Sequence, residues 1–164
     1  MRTTGRSISS YGFGDNTRTG AGRGNVTFRH AEDEDAIFVV PLLRQRDLLH
    51  LAQQGPPTSV IREAVAASTI TLVGEIDGRI AAMWGVRRAQ MLDDRVYVWL
   101  LGTRVIDENP VTFLRYSRYV LRCMRAEYRA IYGEIEVDFS TSVRWLTWLG
   151  AKVYPHEGRY MFVI

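Results

Sequence analysis

Val98-Trp99-Leu100-Leu101-Gly102-Thr103, followed shortly by Asn109-Pro110, is the stretch on which the fold turns. Residues 95–101 are apolar on both faces, the pattern of a strand covered from two sides and therefore central in a sheet. Asp93-Asp94 marks the turn before it. Asn109-Pro110 predicts a helix start, because asparagine caps and proline at the first helical position has no N–H to lose. The helix is expected to run to about residue 129.

Upstream, Ile70–Ile76 and Arg79–Arg88 flank Asp77-Gly78, the strongest short hairpin signal in the chain. Before them, Asn25-Val26-Thr27-Phe28-Arg29 alternates like a strand. Residues 33–52 read as a helix that Pro41 kinks or divides. After the break Gly55-Pro56-Pro57, Thr58 or Ser59 is expected to cap a short helix ending near Ala67. Downstream, Ile135, Val137 and Phe139 alternate with Glu134, Glu136 and Asp138, predicting a fifth strand with one acidic face. Ser140 or Thr141 should cap a last helix over 142–149, ended by Gly150. Closing strands over 151–154 and 159–164 are joined by Pro155-His156-Glu157-Gly158. The order β-α-α-β-β-β-α-β-α-β-β predicts an α/β (α+β) domain over 25–164, a mixed, largely antiparallel sheet flanked by helices. Trp99, Trp145, Trp148 and Leu149 are expected in its core.

The 164 residues suit one domain, and 46% hydrophobic with 24% charged residues is ordinary for a globular chain. A lone cysteine, Cys123, excludes an internal disulfide framework and paired-cysteine zinc. No apolar run reaches the ~20 residues of a membrane helix. No apolar segment follows the N-terminus as in a secretory signal, so no membrane partner and a cytoplasmic setting are expected. The formal charge of +3 resides in residues 1–24, where Arg2, Arg6, Arg18 and Arg23 face Asp15 alone. That segment also holds six of the 14 glycines, with Tyr11 and Phe13 among its few large apolar groups. It is expected to be an extended arm that orders on a partner chain, its arginines engaging carboxylates and its aromatics anchoring it.

Chemistry-bearing signals are sparse. His30, His50 and His156 are far apart without metal-ligand spacing and read as surface or strand-end histidines. Cys123 reads as a small helix hydrophobe. The glycines of 12–14 and 20–24 do not sit between a strand and a helix as a phosphate loop requires. Glu134, Glu136 and Asp138 read as solvated or arginine-paired. Arg115, Arg118, Arg122, Arg125 and Arg129, spaced 3, 4, 3 and 4, form one stripe on the long helix, opposite Phe113, Val120, Met124 and Tyr128. The stripe suits a solvated face, an acidic protein partner or a nucleic-acid backbone.

The hairpin, the strand ending in Leu101-Gly102-Thr103, the long helix and Arg144-Trp145-Leu146-Thr147-Trp148-Leu149-Gly150-Ala151 together resemble the GNAT (Gcn5-related N-acetyltransferase) fold. More narrowly, residues 25–164 resemble internal virion protein A of short-tailed phages. That resemblance implies a virion assembly protein, made in the host cytoplasm, with a GNAT-like docking body and a tethering arm. Its implied partners are portal, head-tail connector, tail or internal virion proteins, with nucleic acid as a weaker candidate. Where GNAT enzymes place a glycine-rich pyrophosphate loop, this chain has Arg104-Val105-Ile106-Asp107-Glu108-Asn109-Pro110. The family's proton-donating tyrosine falls on Leu146 and its asparagine before the last helix on Phe139. The resemblance with these departures implies a pseudoenzyme with no catalytic residues, no cofactor and no metal. The alternative is a divergent acetyl-CoA-dependent N-acetyltransferase.

Overall fold

The computed structural model describes residues 25–164 apart from 89, 91, 92, 137 and 138. Residues 1–24, and with them Arg2, Arg6, Tyr11, Phe13, Arg18 and Arg23, lie outside the described residues. The chain runs β1 (Val26–His30), α1 (Asp35–Val39), α2 (Gln45–Gln54), α3 (Pro57–Ala66), β2 (Ile70–Ile76) and β3 (Arg79–Arg88). It continues through β4 (Arg95–Gly102), α4 (Arg104–Glu108), α5 (Pro110–Glu127), β5 (Ala130–Ile135), α6 (Ser140–Trp148), β6 (Lys152–His156) and β7 (Arg159–Val163). One sheet carries the order β1-β2-β3-β4-β5-β7-β6, antiparallel except where β4 meets β5. The expected α/β class holds, and β4 is the middle strand.

The Asp77-Gly78 turn joins β2 to β3 with both residues at positive φ (51° and 72°), as a two-residue hairpin requires. Pro41 sits in a single 3₁₀ turn, Val40–Leu42, and divides the expected long helix into α1 and α2. Several local expectations are corrected. Neither Thr58 nor Ser59 caps α3, which begins at Pro57 with Pro56 before it. Asn109 precedes α5, but its side chain turns back and donates to the Val105 carbonyl across the unanticipated helix α4. β5 is earlier than expected, because Ile131 and Ile135 are the inward positions and the strand ends before Glu136. α6 starts at Ser140 after Phe139, with no side-chain cap.

Helices cover both faces. On one, α5 lies over Leu72, Trp84, Val96 and Ile131, burying Met124 and Tyr128. On the other, α1–α3 close over Val73, Met83 and Leu101. A smaller cluster of Ile135, Leu146, Ala151 and Phe162 holds α6 to β5–β7. The four residues expected in the core are shallower than that. Trp99, Trp145 and Leu149 are half-buried, and Trp148 is 44% exposed with the Arg118 guanidinium 3.9 Å over its ring.

Candidate active site

β4 and β5 pair only at Arg95–Ala130, Val96–Ile131 and Tyr97–Tyr132. Past Tyr97 the two parallel strands separate, and among the described residues no strand takes the vacated side of β4. Alternate peptide groups from Val98 onward therefore face a gap in the middle of the sheet. Gly133 sits at the crotch. A Cβ there would lie 2.6 Å from the Val98 carbonyl oxygen and 2.6 Å from the Phe162 ring. Only glycine lets β5 lie this close to β4 where pairing stops.

A cleft of about 760 Å³ passes through this gap and has two unlike ends. On the α5–α6 side it is apolar, walled by Val98, Leu100, Phe113, Val120, Trp145 and Leu146. Phe113 and Trp145 touch across it, with ring centroids 5.3 Å apart. The Trp145 Nε1 donor is buried with no hydrogen-bond partner among the described residues, a costly state unless something brings an acceptor.

On the α2–α3 side the cleft gathers its polar groups beside Leu51, Val60, Ile61 and Trp99. His50 projects from α2, its Nδ1 3.5 Å from Glu136 Oε1 and its Nε2 3.0 Å from the Gln54 amide nitrogen. The amide nitrogen can only donate, so Nε2 accepts and Nδ1 carries its hydrogen toward Glu136. Arg159 holds the carboxylates, donating to Glu134 at 2.7 Å and lying 3.5 Å from Glu136. The expected arginine pairing of these acids is thus seen for Glu134 and Glu136; Asp138 lies outside the described residues. Tyr97 and Tyr132 stack edge to face at 5.7 Å where the strands part. Burial pushes the Tyr97 phenol above its ordinary value, and the charge of Glu134 adds to this, so it keeps its proton at neutral pH.

Asp47 is buried and anchors the β4 end of the cleft. It accepts from Arg44 at 2.9 Å and from the Gly102 N–H, while the Arg44 N–H donates to the Gly102 carbonyl. Burial nonetheless pushes its carboxyl above the usual range. Beyond it the chain turns directly into α4, with Thr103 Oγ1 accepting from Val105 N.

The structure redistributes the residues singled out in the sequence. Arg115, Arg118, Arg122 and Arg125 are exposed along α5, but Arg129 lies past the helix end, its N–H donating to the Asp94 carbonyl. His30 and His156 are exposed. His50 is not the surface histidine expected, because it lines the cleft against a carboxylate 86 positions away in the chain. Its signal was the spacing Asp47, His50, Gln54, a polar line along an amphipathic helix. Leu146 is buried in the cleft wall and offers no proton.

No protein-family model and no curated protein matches this chain. Solved structures do, and they define the fold as GNAT-like. The GNAT domain of S. lividans PAT superposes with a TM-score of 0.66 at 14% identity, covering 86% of this chain and 90% of that one. An acetyltransferase of the GNAT family from Streptococcus pneumoniae gives 0.56 at 15%, covering 85% and 99%. An N-acetyltransferase from Staphylococcus aureus Mu50 gives 0.62 at 10%, covering 85% and 98%. At these identities the likeness establishes the fold. It also overturns the expectation that the chain is no enzyme. Several structures that share its fold are described as acetyltransferases, and an open cleft lies beside the departures at 104–110 and Leu146 that led to that expectation. Nothing among the described residues bears on virion partners.

Proposed function

We propose that the protein is a divergent N-acetyltransferase that draws its acetyl group from a pantetheine thioester. The observation that carries this reading is the split sheet, whose unpaired β4 edge opens between an apolar chamber and a polar vestibule holding His50 and Glu136.

The residues present fit the thioester end of acetyl-CoA. The edge from Val98 to Leu100 can pair with a pantetheine amide as with another strand, Gly133 leaves the crotch clear, and Trp145 Nε1 lacks the acceptor that such a chain brings. The bound thioester would supply an acyl carbon whose bond to sulfur breaks as its bond to the acceptor nitrogen forms. His50 Nε2 takes the proton that the amine must lose, and the exposed Gln54 swings aside to free it. Glu136 orients the ring through Nδ1 and stabilises its charge. Tyr97, held protonated by burial, returns a proton to the departing sulfur in place of the tyrosine that Leu146 replaces.

The test is amide formation from S-acetylpantetheine and acetyl-CoA across a panel of primary amines, read by mass spectrometry. His50→Gln is expected to lower kcat at least 100-fold with little change in KM for the donor. Absence of product from every donor overturns the reading.

A further inference from the structure

The β4–α5 junction is a poor seat for a nucleotide. Several of its peptide donors are lost to it: Ile106 N–H bonds the Thr103 carbonyl, Asn109 N–H bonds the Ile106 carbonyl, and Pro110 has none. No glycine opens the turn. Asp107 lies 4.0 Å from Arg44, and Glu108 is paired with Arg79 at 2.6 Å, so two nearby cations are already engaged by protein carboxylates. A pyrophosphate would meet the carboxylates of Asp107 and Glu108 there beside the few amides at the start of α5.

The outward face of α5 is the reverse. Arg115, Arg118, Arg122 and Arg125 stand exposed in a line about 15 Å long. Among the described residues none of the four has an ion-pair partner, and Arg118 is held by stacking on Trp148 of α6. The same helix presents Phe113 and Val120 to the cleft from its opposite face, and the stack of Arg118 on Trp148 ties the arginine line to α6, whose Trp145 walls the apolar end through which a pantetheine arm would enter.

Resting on the transfer reading above, the geometry points to an acidic carrier protein as the acyl donor, one whose acyl group rides on a serine-linked phosphopantetheine. Pantetheine thiols occur on a nucleotide or on such a carrier. The carrier form brings no pyrophosphate and needs no glycine loop, while its acidic surface meets guanidinium groups that engage carboxylates bidentately. The chemistry balances as before: the carrier's C–S bond breaks, an amide C–N bond forms, and the carrier thiol is regenerated with a proton.

The full chain is to be tested with acetyl-loaded carrier, carrier lacking its phosphopantetheine, acetyl-CoA, S-acetylpantetheine and a DNA duplex. Binding is read by interferometry at low and high salt, and product by mass spectrometry. The acetyl-loaded carrier is expected to bind, to weaken at least tenfold at high salt and in the exposed-site variant Arg115→Glu/Arg122→Glu, and to give at least tenfold more amide than acetyl-CoA at equal concentration. Circular dichroism checks that the variant is folded, and retained transfer from S-acetylpantetheine checks its cleft. Acetyl-CoA serving as well as the carrier, carrier binding indifferent to charge reversal, or tighter binding of DNA each overturns the carrier while leaving the transfer reading standing. No product from any donor overturns both.

Discussion

The two halves of the sheet are built to different tolerances. From β1 to β4, helices cover both faces, Val39, Val73, Met83 and Val96 have no exposure at all, and β3 pairs with β4 at seven positions. From β5 to β6 the buried cluster is Ile135, Leu146, Ala151 and Phe162, and four of the five β6 residues are exposed. The halves meet through three residue pairs of β4 and β5. A dense body and a lighter wing thus share one sheet, and the cleft lies where their pairing gives out. Substitutions should therefore cost most in the body, less at the seam and least on the wing.

Met83→Ala tests the body most severely. It leaves a cavity beneath α1–α3, and a loss of about 2–5 kcal/mol is expected from urea unfolding. A loss under about 1 kcal/mol, small for a buried side chain, would mean the body is no denser than the wing.

Asp35→Asn probes the tie between α1, β1 and β2. Asp35 is buried, with Arg29 donating to both of its oxygens at 2.7 and 2.8 Å and the Glu32 N–H donating at 2.8 Å. Burial pushes its carboxyl up, but the Arg29 bonds, the Glu32 bond and the Arg29 charge together hold it below the usual range. Its stabilisation is therefore present above the ordinary carboxylate range of about pH 4 and lost as acid protonates the folded protein. The variant should lose about 1.5–3 kcal/mol at neutral pH, and the gap to the parent should shrink as pH falls below about 4. A gap that widens in acid would contradict the assigned pairing.

Gly133→Val tests the seam. Its side chain must push against the Val98 carbonyl and Phe162, costing about 1–3 kcal/mol and closing the cleft. Full stability with unchanged thioester binding by calorimetry would place the crotch elsewhere.

Trp148→Ala, on the wing, should cost only about 0.5–1 kcal/mol, the worth of an exposed cation–π contact. Thermal unfolding indistinguishable from that of Met83→Ala would erase the contrast.

The body was the more legible half for the same reason that it is the denser one. Double-sided burial writes continuous apolar runs such as Val96–Leu101, and Asp77-Gly78 admits almost one conformation. The wing's fifth strand was placed late because Gly133 interrupts its alternation at the position the cleft requires, leaving Ile135, its last residue, as the first of the apparent pattern. Trp148 was expected inside because its hydrophobicity is visible in sequence and its arginine lid is not. His50 and Glu136 meet only after the sheet has assembled, so no local pattern records the pair. The departures at 104–110 were legible, but their meaning was misjudged. They alter the turn after β4, whereas the cleft is made by strand separation and one glycine.

The position of β7 bears on how the wing is made. It is synthesised after β6, yet it lies between β5 and β6 in the sheet. While a ribosome is still adding residues 152–158, β5 has an open flank and β6 has nowhere to bind. Only the arrival of Arg159–Val163 seals both at once. Until then the nascent chain exposes a strand edge competent for aggregation, so a pause or cleavage just before residue 159 should strand a finished body beside an unmade wing.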